Sequence, residues 1–148
     1  MTWKPHVTVA AIIEKNHKFL LVEELVDGKK VLNQPAGHLE PDESFLNAVI
    51  RETEEETANI FQPEYLTGLY RWVLTEKDRT YIRLCFAGKI TATLENQALD
   101  TDIIGNHWLS YEEIIERNNQ LRSPLVLTCI NDYRQGNRYP LDLLKDLE

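Results

Sequence analysis

Short runs of apolar residues separated by polar turns predict that the first third of the chain is built from β-strands. The predicted strands are residues 6–13, 19–24 and 31–33. Each run is rich in β-branched or large apolar side chains, which suit a pleated sheet. The polar residues 15–18 are expected to join the first two strands as a hairpin. Asp27 followed by Gly28 is the strongest turn signal before the third strand.

The pattern then changes from short runs to a helical period. The stripe consists of Phe45, Leu46, Val49, Ile50 and Thr53. Side chains that recur in this way lie on one face of an α-helix, which we expect to pack on a sheet. Residues 37–42 are predicted as the preceding loop, with Asp42 as the N-cap. At the other end, we expect Asn59 to take the left-handed cap conformation, since asparagine tolerates positive φ better than Ala58 does.

The second half of the chain shows both patterns again. Further strands are predicted at residues 65–74, 80–90 and 107–109, with a turn at 76–79 and a loop at 99–105. Ser110 is predicted to cap a helix over residues 111–117. Pro124 follows Ser123 and suits the first position of a last helix. Strands mixed with three helices predict an α/β sandwich.

Composition narrows the class of protein. The 148 residues are 43% hydrophobic and 27% charged, which fits one globular domain over residues 1–148. The formal net charge of −8 argues against a binder of nucleic acid polymers or anionic membranes, because both need basic surfaces. No run approaches the roughly 20 apolar residues of a membrane span. The first residues lack the pattern of a signal peptide, so a cytoplasmic location is predicted.

Three glutamates in the predicted helix indicate a chemical role for this segment. Glu52, Glu55 and Glu56 stand at i, i+3 and i+4, so a helix places their carboxylates on one face. Like charges at these spacings repel, and negative charge near a helix C-terminus opposes the macrodipole. A bound cation would reverse both penalties, and Mg²⁺ prefers oxygen ligands of this kind. Taken alone, the run also fits a solvated helix face.

The residues around the glutamates have a specific spacing. Gly37, Glu43, the Arg51-Glu52 pair and the Glu55-Glu56 pair follow one another at the intervals of the Nudix box. The chain therefore resembles the Nudix hydrolases, over about residues 4–138. Three further segments look like the NudJ-type phosphatase branch: residues 33–40, 121–126 and 138–141. The chain departs from the box at Thr53, Ala58 and Asn59.

The resemblance implies a fold and a metal site. The fold is a Nudix-type α/β/α sandwich with a mixed β-sheet. The metal ligands for Mg²⁺ or Mn²⁺ are Glu52, Glu55, Glu56 and the backbone carbonyl of Gly37. Arg51 is expected to orient the carboxylates, and Glu43 to support the geometry between loop and helix. Asp102 is expected to act as a further metal ligand or base. Asp100 is an alternative to it, and a solvated acidic loop is another.

Basic and aromatic residues are needed to hold the substrate. The candidates are Arg122, Gln34, Arg83, Trp72 and Tyr81. Arg122 lies at a predicted helix N-terminus, where an arginine can bind phosphate. An exposed arginine that bonds nearby carbonyls is the alternative. Trp72 and Tyr81 can stack on a base or pyrimidine ring, and a place in the core or at its rim is the alternative.

The resemblance also implies an activity. NudJ-type enzymes hydrolyse phosphoanhydride bonds of nucleoside di- and triphosphates, thiamine diphosphate and its hydroxymethylpyrimidine diphosphate precursor, and release phosphate. One alternative is a Nudix pyrophosphatase for ADP-ribose, a dinucleoside polyphosphate or an oxidised nucleotide. Another is a non-catalytic nucleotide-binding regulator. Each of these has a small-molecule phosphoanhydride as its partner, and the sequence leaves the oligomeric state open.

Overall fold

The computed structural model describes residues 1–147 and contains seven strands and three α-helices there. The strands are β1 (His6–Lys15), β2 (Lys18–Val26), β3 (Lys29–Asn33), β4 (Ala36–His38), β5 (Asn59–Leu74), β6 (Arg79–Thr93) and β7 (Ile103–Ser110). The α-helices are α1 (Phe45–Thr57), α2 (Tyr111–Glu116) and α3 (Pro124–Arg134). Three single-turn 3-10 helices cover Thr75–Lys77, Asn118–Gln120 and Leu141–Leu143. None of the helices in this part of the chain is both long and apolar enough to span a bilayer.

The strands form a mixed arrangement with the order β3-β2-β1-β6-β5. β1 and β6 run parallel, whereas the other pairs are antiparallel. β1 pairs with β2 only beside their connecting turn, through Glu14 with Phe19 and Lys15 with Lys18. Beyond that turn, β1 pairs with β4 and β6, while β2 pairs with β3 and β7. Two groups of strands therefore share one hairpin and diverge from it, which leaves an opening between them.

Helices cover the strands on both sides, as an α/β/α sandwich requires. On one side, Ala48 and Val49 of α1 pack with Val9, Ala11 and Ile13 of β1. On the other side, α2 and α3 contribute Ile114, Val126, Cys129 and Ile130, which pack with Ala10 and Ile12 of β1. Successive residues of β1 are thus buried on opposite faces. The predicted mixed α/β sandwich is confirmed.

Helix α1 begins later than the sequence suggested. The N-cap is Ser44, whose Oγ accepts a hydrogen bond from the backbone N of Asn47 at 3.1 Å. The prediction of Asp42 as N-cap is wrong, because Asp42 has a φ of 62° and belongs to the turn before the helix. Serine and aspartate are both good caps, so residue preference alone did not separate the two positions.

The end of α1 also differs from the prediction. Ala58 is the left-handed cap, with φ 58° and ψ 25°, and its N–H donates to the carbonyl of Glu54 at 2.8 Å. The prediction that Asn59 would take this conformation is wrong. Asn59 is the first residue of β5, where it pairs with Thr93 and accepts a hydrogen bond from its hydroxyl at 2.7 Å. Sheet pairing therefore forces the turn onto Ala58.

The boundaries of several strands also differ from the prediction because of sheet pairing. β4 occupies the start of the predicted loop, because Ala36, Gly37 and His38 pair with β1. β5 begins at Asn59 rather than at residue 65, and β7 begins at Ile103 inside the segment predicted as a loop. Each extension lies opposite a partner strand, so tertiary pairing lengthened segments whose own sequence is weakly patterned.

Candidate active site

Helix α1 carries its acidic face toward the opening between the strands. Glu52 and Glu56 are buried, with 9% and 7% of their surface exposed. Oxygen atoms of Glu52, Glu55 and Asp100 lie within 4.8 Å of one another. Carboxylate oxygens at this separation are the donor set that hard divalent cations prefer. The three glutamates predicted as ligands thus lie on one face, and Asp100 joins them from the segment before β7.

Arg51 holds the glutamates in place. Its Nε and Nη2 donate to the two oxygens of Glu43 at 2.9 and 2.7 Å. Its Nη1 donates to Glu52 at 2.8 Å and to Glu55 at 3.2 Å. Nη2 also reaches the backbone carbonyl of His38 at 3.2 Å. These bonds raise the pKa of Arg51 and lower that of Glu43, chiefly through the hydrogen bonds between the two. Arg51 and Glu43 thereby tie the loop, the helix and two candidate ligands together.

Strand β4 lies directly against the acidic face. The backbone N of Ala36 donates to Glu56 Oε1 at 2.9 Å. A Cβ added to Gly37 would collide with the carboxylate of Glu52. The absence of a side chain at residue 37 is therefore a steric requirement of this contact. It brings the main chain of Gly37 close to the carboxylates, where its carbonyl was predicted to serve as a ligand.

Burial makes the acidic face electrostatically costly. Removal from water raises the pKa of Glu52 to about 7 and that of Glu56 to about 9, and each is raised further by neighbouring carboxylates. Burial and the charge of Glu55 also raise the pKa of Asp100. Groups that resist ionisation in this way gain most from a nearby cation. The donor set, its spacing and its electrostatics therefore all fit a divalent metal ion.

A cavity of about 460 Å³ opens beside Glu52 and Glu56. Four basic side chains line it: Lys77, Arg79, Arg83 and Arg122. Trp72 and Tyr81 line it as well, and their rings stack with centroids 5.5 Å apart and an interplanar angle of 25°. The cavity thus combines acidic, basic and aromatic walls, which suits an anionic ligand that carries a planar ring.

Two of the predicted substrate contacts turn out to be linked. Arg83 is 6% exposed and lines the cavity, and its Nη1 donates to Gln34 Oε1 at 3.0 Å. Gln34 is 1% exposed and lies behind Arg83, with its amide directed at the carbonyl of Ala11 at 3.3 Å. The prediction of Gln34 as a substrate contact is wrong, because the side chain does not reach the cavity. Its structural role is to hold Arg83.

Arg122 reaches the cavity from the turn before α3. Its backbone N donates to the carbonyl of Leu32 at 2.8 Å, which fixes the turn against β3. Its Nη1 donates to Glu24 at 2.9 Å. Ser123 caps α3 through its hydroxyl, and Pro124 occupies the first turn, as predicted. Arg122 is exposed but held in an ion pair with Glu24, and it remains part of the cavity wall.

The acidic loop before β7 presents Asp100 and not Asp102 to the glutamates. The backbone N of Asp100 donates to the carbonyl of Glu55 at 3.0 Å, which anchors it beside α1. Asp102 is exposed, and its backbone carbonyl accepts from Leu25. The structure therefore does not place Asp102 with the candidate ligands and favours the alternative, Asp100. The two residues lie in an irregular segment, where no strand or helical period determines the direction of either side chain.

Sequence reasoning missed Glu24, a buried acid in the cavity wall. Glu24 is 7% exposed and accepts from Asn33 at 3.2 Å as well as from Arg122. The sequence did contain a signal for this residue. Glu23 and Glu24 follow an apolar run, and because successive strand residues face opposite sides, one of the two acids has to face inward. Glu23, the other acid, bonds to His107 instead, at 3.0 Å.

Comparisons with known proteins agree with this geometry. The family model described as "NUDIX domain" matches residues 4–129. Phosphatase NudJ of Escherichia coli strain K12 is 43% identical over 144 residues, which cover 97% of this chain and 93% of that protein. A solved structure of a NUDIX hydrolase from Nitrosomonas europaea has a TM-score of 0.95 and 48% identity, and the match covers 97% of this chain and 98% of that chain. The NUDIX domain of Shewanella oneidensis NrtR, solved in complex with ADP ribose, has a TM-score of 0.71 at 16% identity, which reflects the fold alone, over 91% of this chain and 90% of that one.

Proposed function

Because this chain belongs to the Nudix hydrolase family, we propose that it uses Mg²⁺ or Mn²⁺ to release orthophosphate from small-molecule diphosphates and triphosphates. The substrates we propose are nucleoside di- and triphosphates, thiamine diphosphate and its hydroxymethylpyrimidine precursor. The observation that carries the proposal is the position of the buried acidic face of α1 at one wall of a cavity with basic and aromatic residues on its other walls. The kinship with NudJ phosphatases at 43% identity supports the phosphatase reaction.

The residues of the site have different chemical roles in this proposal. Glu52, Glu55 and Glu56, with the carbonyl of Gly37 and the carboxylate of Asp100, would hold the cation. A divalent cation held there would supply charge that neutralises phosphate oxygens and would activate or position the attacking water. Arg51 keeps two of the carboxylates at fixed positions through its hydrogen bonds.

The rest of the cavity binds the substrate. Arg83 and Arg122 donate hydrogen bonds to phosphate oxygens, which a planar guanidinium can meet with two N–H groups. Trp72 and Tyr81 stack on the organic ring. A cytoplasmic location of the enzyme stays a prediction.

A charge-only change on α1 tests the proposed metal site. Glu55→Gln should lower phosphate release by about 100-fold or more, because the amide keeps the shape but not the charge that binds a cation. Glu54→Gln is the matched control, since Glu54 is on the same helix and outside the carboxylate cluster. Orthophosphate release should be measured for the proposed substrates and for ADP-ribose, with and without Mg²⁺ or Mn²⁺. Full activity of Glu55→Gln would contradict the site, and binding without turnover in the wild type would favour the regulator.

A further inference from the structure

One buried carboxylate in the cavity is not used by the proposed metal chemistry. Glu24 lies on β2, whereas the candidate metal ligands lie on α1, on β4 and in the segment before β7. Its Oε1 accepts two hydrogen bonds, from Asn33 Nδ2 at 3.2 Å and from Arg122 Nη1 at 2.9 Å. Its Oε2 accepts no hydrogen bond from residues 1–147, and Glu24 lines the cavity with 7% of its surface exposed. A ligand in the cavity can therefore supply the donor that this oxygen lacks.

Strand alternation in β2 directs Glu24 into the cavity. Glu23, the residue before it, faces the other way and bonds with His107 on β7, while Glu24 lines the cavity. The register irregularity nearby belongs to β7, where Ile104 is the extra residue because Glu23 pairs with Gly105 and Glu24 with Ile103.

Glu24 and the aromatic pair line the cavity from different strand groups. Trp72 and Tyr81 belong to β5 and β6, which extend the group that contains β1. Glu24 belongs to the group formed by β3, β2 and β7. A planar ring stacked on Trp72 would therefore lie in the same 460 Å³ space that Glu24 borders.

The walls of the cavity differ in what they can accept. Arg83, Arg122, Lys77 and Arg79 are donors and suit phosphate oxygens or ring carbonyls. An ionised carboxylate can only accept hydrogen bonds. A carbonyl group placed against Glu24 Oε2 would therefore leave the carbonyl oxygen and Oε2 without a donor, and the two oxygens would repel each other. An exocyclic amino group supplies the missing donor. Discrimination of this type is strong because the wrong group leaves a buried acceptor unsatisfied.

We propose that Glu24 is a specificity-determining residue, which selects substrates whose heteroaromatic ring carries an amino group over otherwise identical substrates that carry a carbonyl there. The inference rests on the proposed function and deepens it, since it names the chemical class of the organic group. Asn33 and Arg122 hold Oε1, so that Oε2 stays directed at the ring.

Glu24→Gln provides a sharp test because it keeps the shape of the side chain, turns the free oxygen into an NH₂ group and removes the charge. The glutamine Oε1 can still accept from Asn33 and Arg122, while its NH₂ replaces the free acceptor by a donor. Glu23→Gln is the matched control, since it removes the same charge from the neighbouring residue, which bonds away from the cavity. Both variants should be compared with the wild type by melting temperature before any kinetics.

Two pairs of substrates replace the amino group by a carbonyl, together with protonation of the adjacent ring nitrogen. Thiamine diphosphate and oxythiamine diphosphate differ by an amino group against a carbonyl on the pyrimidine ring, and so do CTP and UTP. With Mg²⁺ present, kcat/KM for orthophosphate release should favour the amino member about tenfold or more in the wild type. Glu24→Gln should reduce that ratio by about tenfold or reverse it, and Glu23→Gln should leave it unchanged.

The outcomes separate the possible roles of Glu24. An equal loss for both members of each pair in Glu24→Gln would overturn the proposal, because Glu24 would then act only by holding Arg122. A wild-type ratio near one in both pairs would overturn it as well, and this result does not depend on whether the variant folds. Failure of the proposed function is a different result, in which the wild type releases no orthophosphate from any of the four compounds. Dissociation constants measured by calorimetry would still give the two ratios in that case.

Discussion

At the scale of single residues, the site depends on side chains that are held rather than free. Arg51 makes hydrogen bonds to Glu43, Glu52 and Glu55 at 2.7 to 3.2 Å. Gln34 holds Arg83 in the same manner, at 3.0 Å. Side chains fixed by such contacts lose little conformational entropy when a ligand binds, so ordering them reduces the binding free energy less.

Gly37 offers a direct test of the close contact between β4 and α1. Gly37→Ala should leave the fold intact, because the new methyl group meets the end of the flexible Glu52 side chain and not backbone. The displaced carboxylate should lower kcat/KM by about 100-fold, as misplacement of a catalytic group by about 1 Å does. Gly105→Ala is the matched control, since nothing lies within 4 Å of its added Cβ. Equal activity of the two variants would show that Glu52 tolerates the shift.

The raised pKa values on α1 predict how stability depends on pH in the metal-free protein. Burial raises the pKa of Glu52 to about 7 and of Glu56 to about 9. The folded state therefore holds protons that the unfolded state has released, and stability is lost as pH rises through these values. The melting temperature should fall between pH 7 and 9 in the presence of EDTA. Glu56→Gln should flatten this fall, and Glu54→Gln should not.

The same electrostatics predict the effect of a cation. Millimolar Mg²⁺ should raise the melting temperature of the wild type, and more at pH 9 than at pH 7, because it replaces protons that the acids no longer hold. Parallel pH curves for the wild type and Glu56→Gln, together with no response to Mg²⁺, would contradict the assignment of this face to a metal.

At the scale of elements, α1 is specified by its two faces but its ends are set by its neighbours. The stripe that includes Val49 and Thr53 is buried against the sheet, and Thr53 is a core position with 0% exposure although its hydroxyl has no partner within residues 1–147. The N-cap is Ser44 because its hydroxyl reaches the N–H of Asn47. The C-cap is Ala58 because Asn59 already pairs with Thr93 in the sheet.

A left-handed alanine at the end of α1 predicts a stabilising substitution. Ala58 has a φ of 58°, where a Cβ costs roughly 1 kcal/mol or more. Ala58→Gly removes that strain, and after the extra chain entropy of glycine in the unfolded state we expect a gain of about 0.5 kcal/mol in the free energy of unfolding. Ala92→Gly is the control, since exposed Ala92 lies in β6 opposite Ile60 and should lose stability. Urea denaturation of both variants measures the difference.

At the scale of the whole molecule, the site exists because two groups of strands share only one hairpin. β1 and β2 pair beside their connecting turn and nowhere else along their length. The groups diverge from there, and α1 covers one of them with its carboxylates at the opening. Glu52 and Glu56 lie at one wall and Trp72 and Tyr81 at another, so a bound substrate would have a defined direction in the cavity.

This direction predicts which phosphorus is attacked. With the organic ring against Trp72 and Tyr81, the terminal phosphate of a diphosphate lies toward the acidic face of α1. Hydrolysis of thiamine diphosphate in ¹⁸O-labelled water should therefore place the label in orthophosphate. Label in the organic monophosphate would contradict attack at the terminal phosphorus. With a nucleoside triphosphate, attack at the terminal phosphorus should release orthophosphate. Pyrophosphate as the main product would contradict attack at the terminal phosphorus.

The sequence by itself determined the chemistry that lies close together along the chain. Glu52, Glu55 and Glu56 share a helix face because of the helical period, and Arg51 is beside them for the same reason. The apolar runs likewise specified the sandwich, since each strand and helix has to bury one face or both. Spacing within one helix is a local property, so no knowledge of the rest of the fold was needed.

Only the tertiary structure decided what lies opposite the helix. Asp100 rather than Asp102 joins the glutamates because its N–H bonds to α1, and Gln34 is buried behind Arg83 instead of facing the cavity. Ala58 takes the strained cap because β5 starts at Asn59. Glu24 lines a cavity whose other walls come from distant segments of the chain. Each of these outcomes depends on pairing between distant segments, which local propensity does not encode.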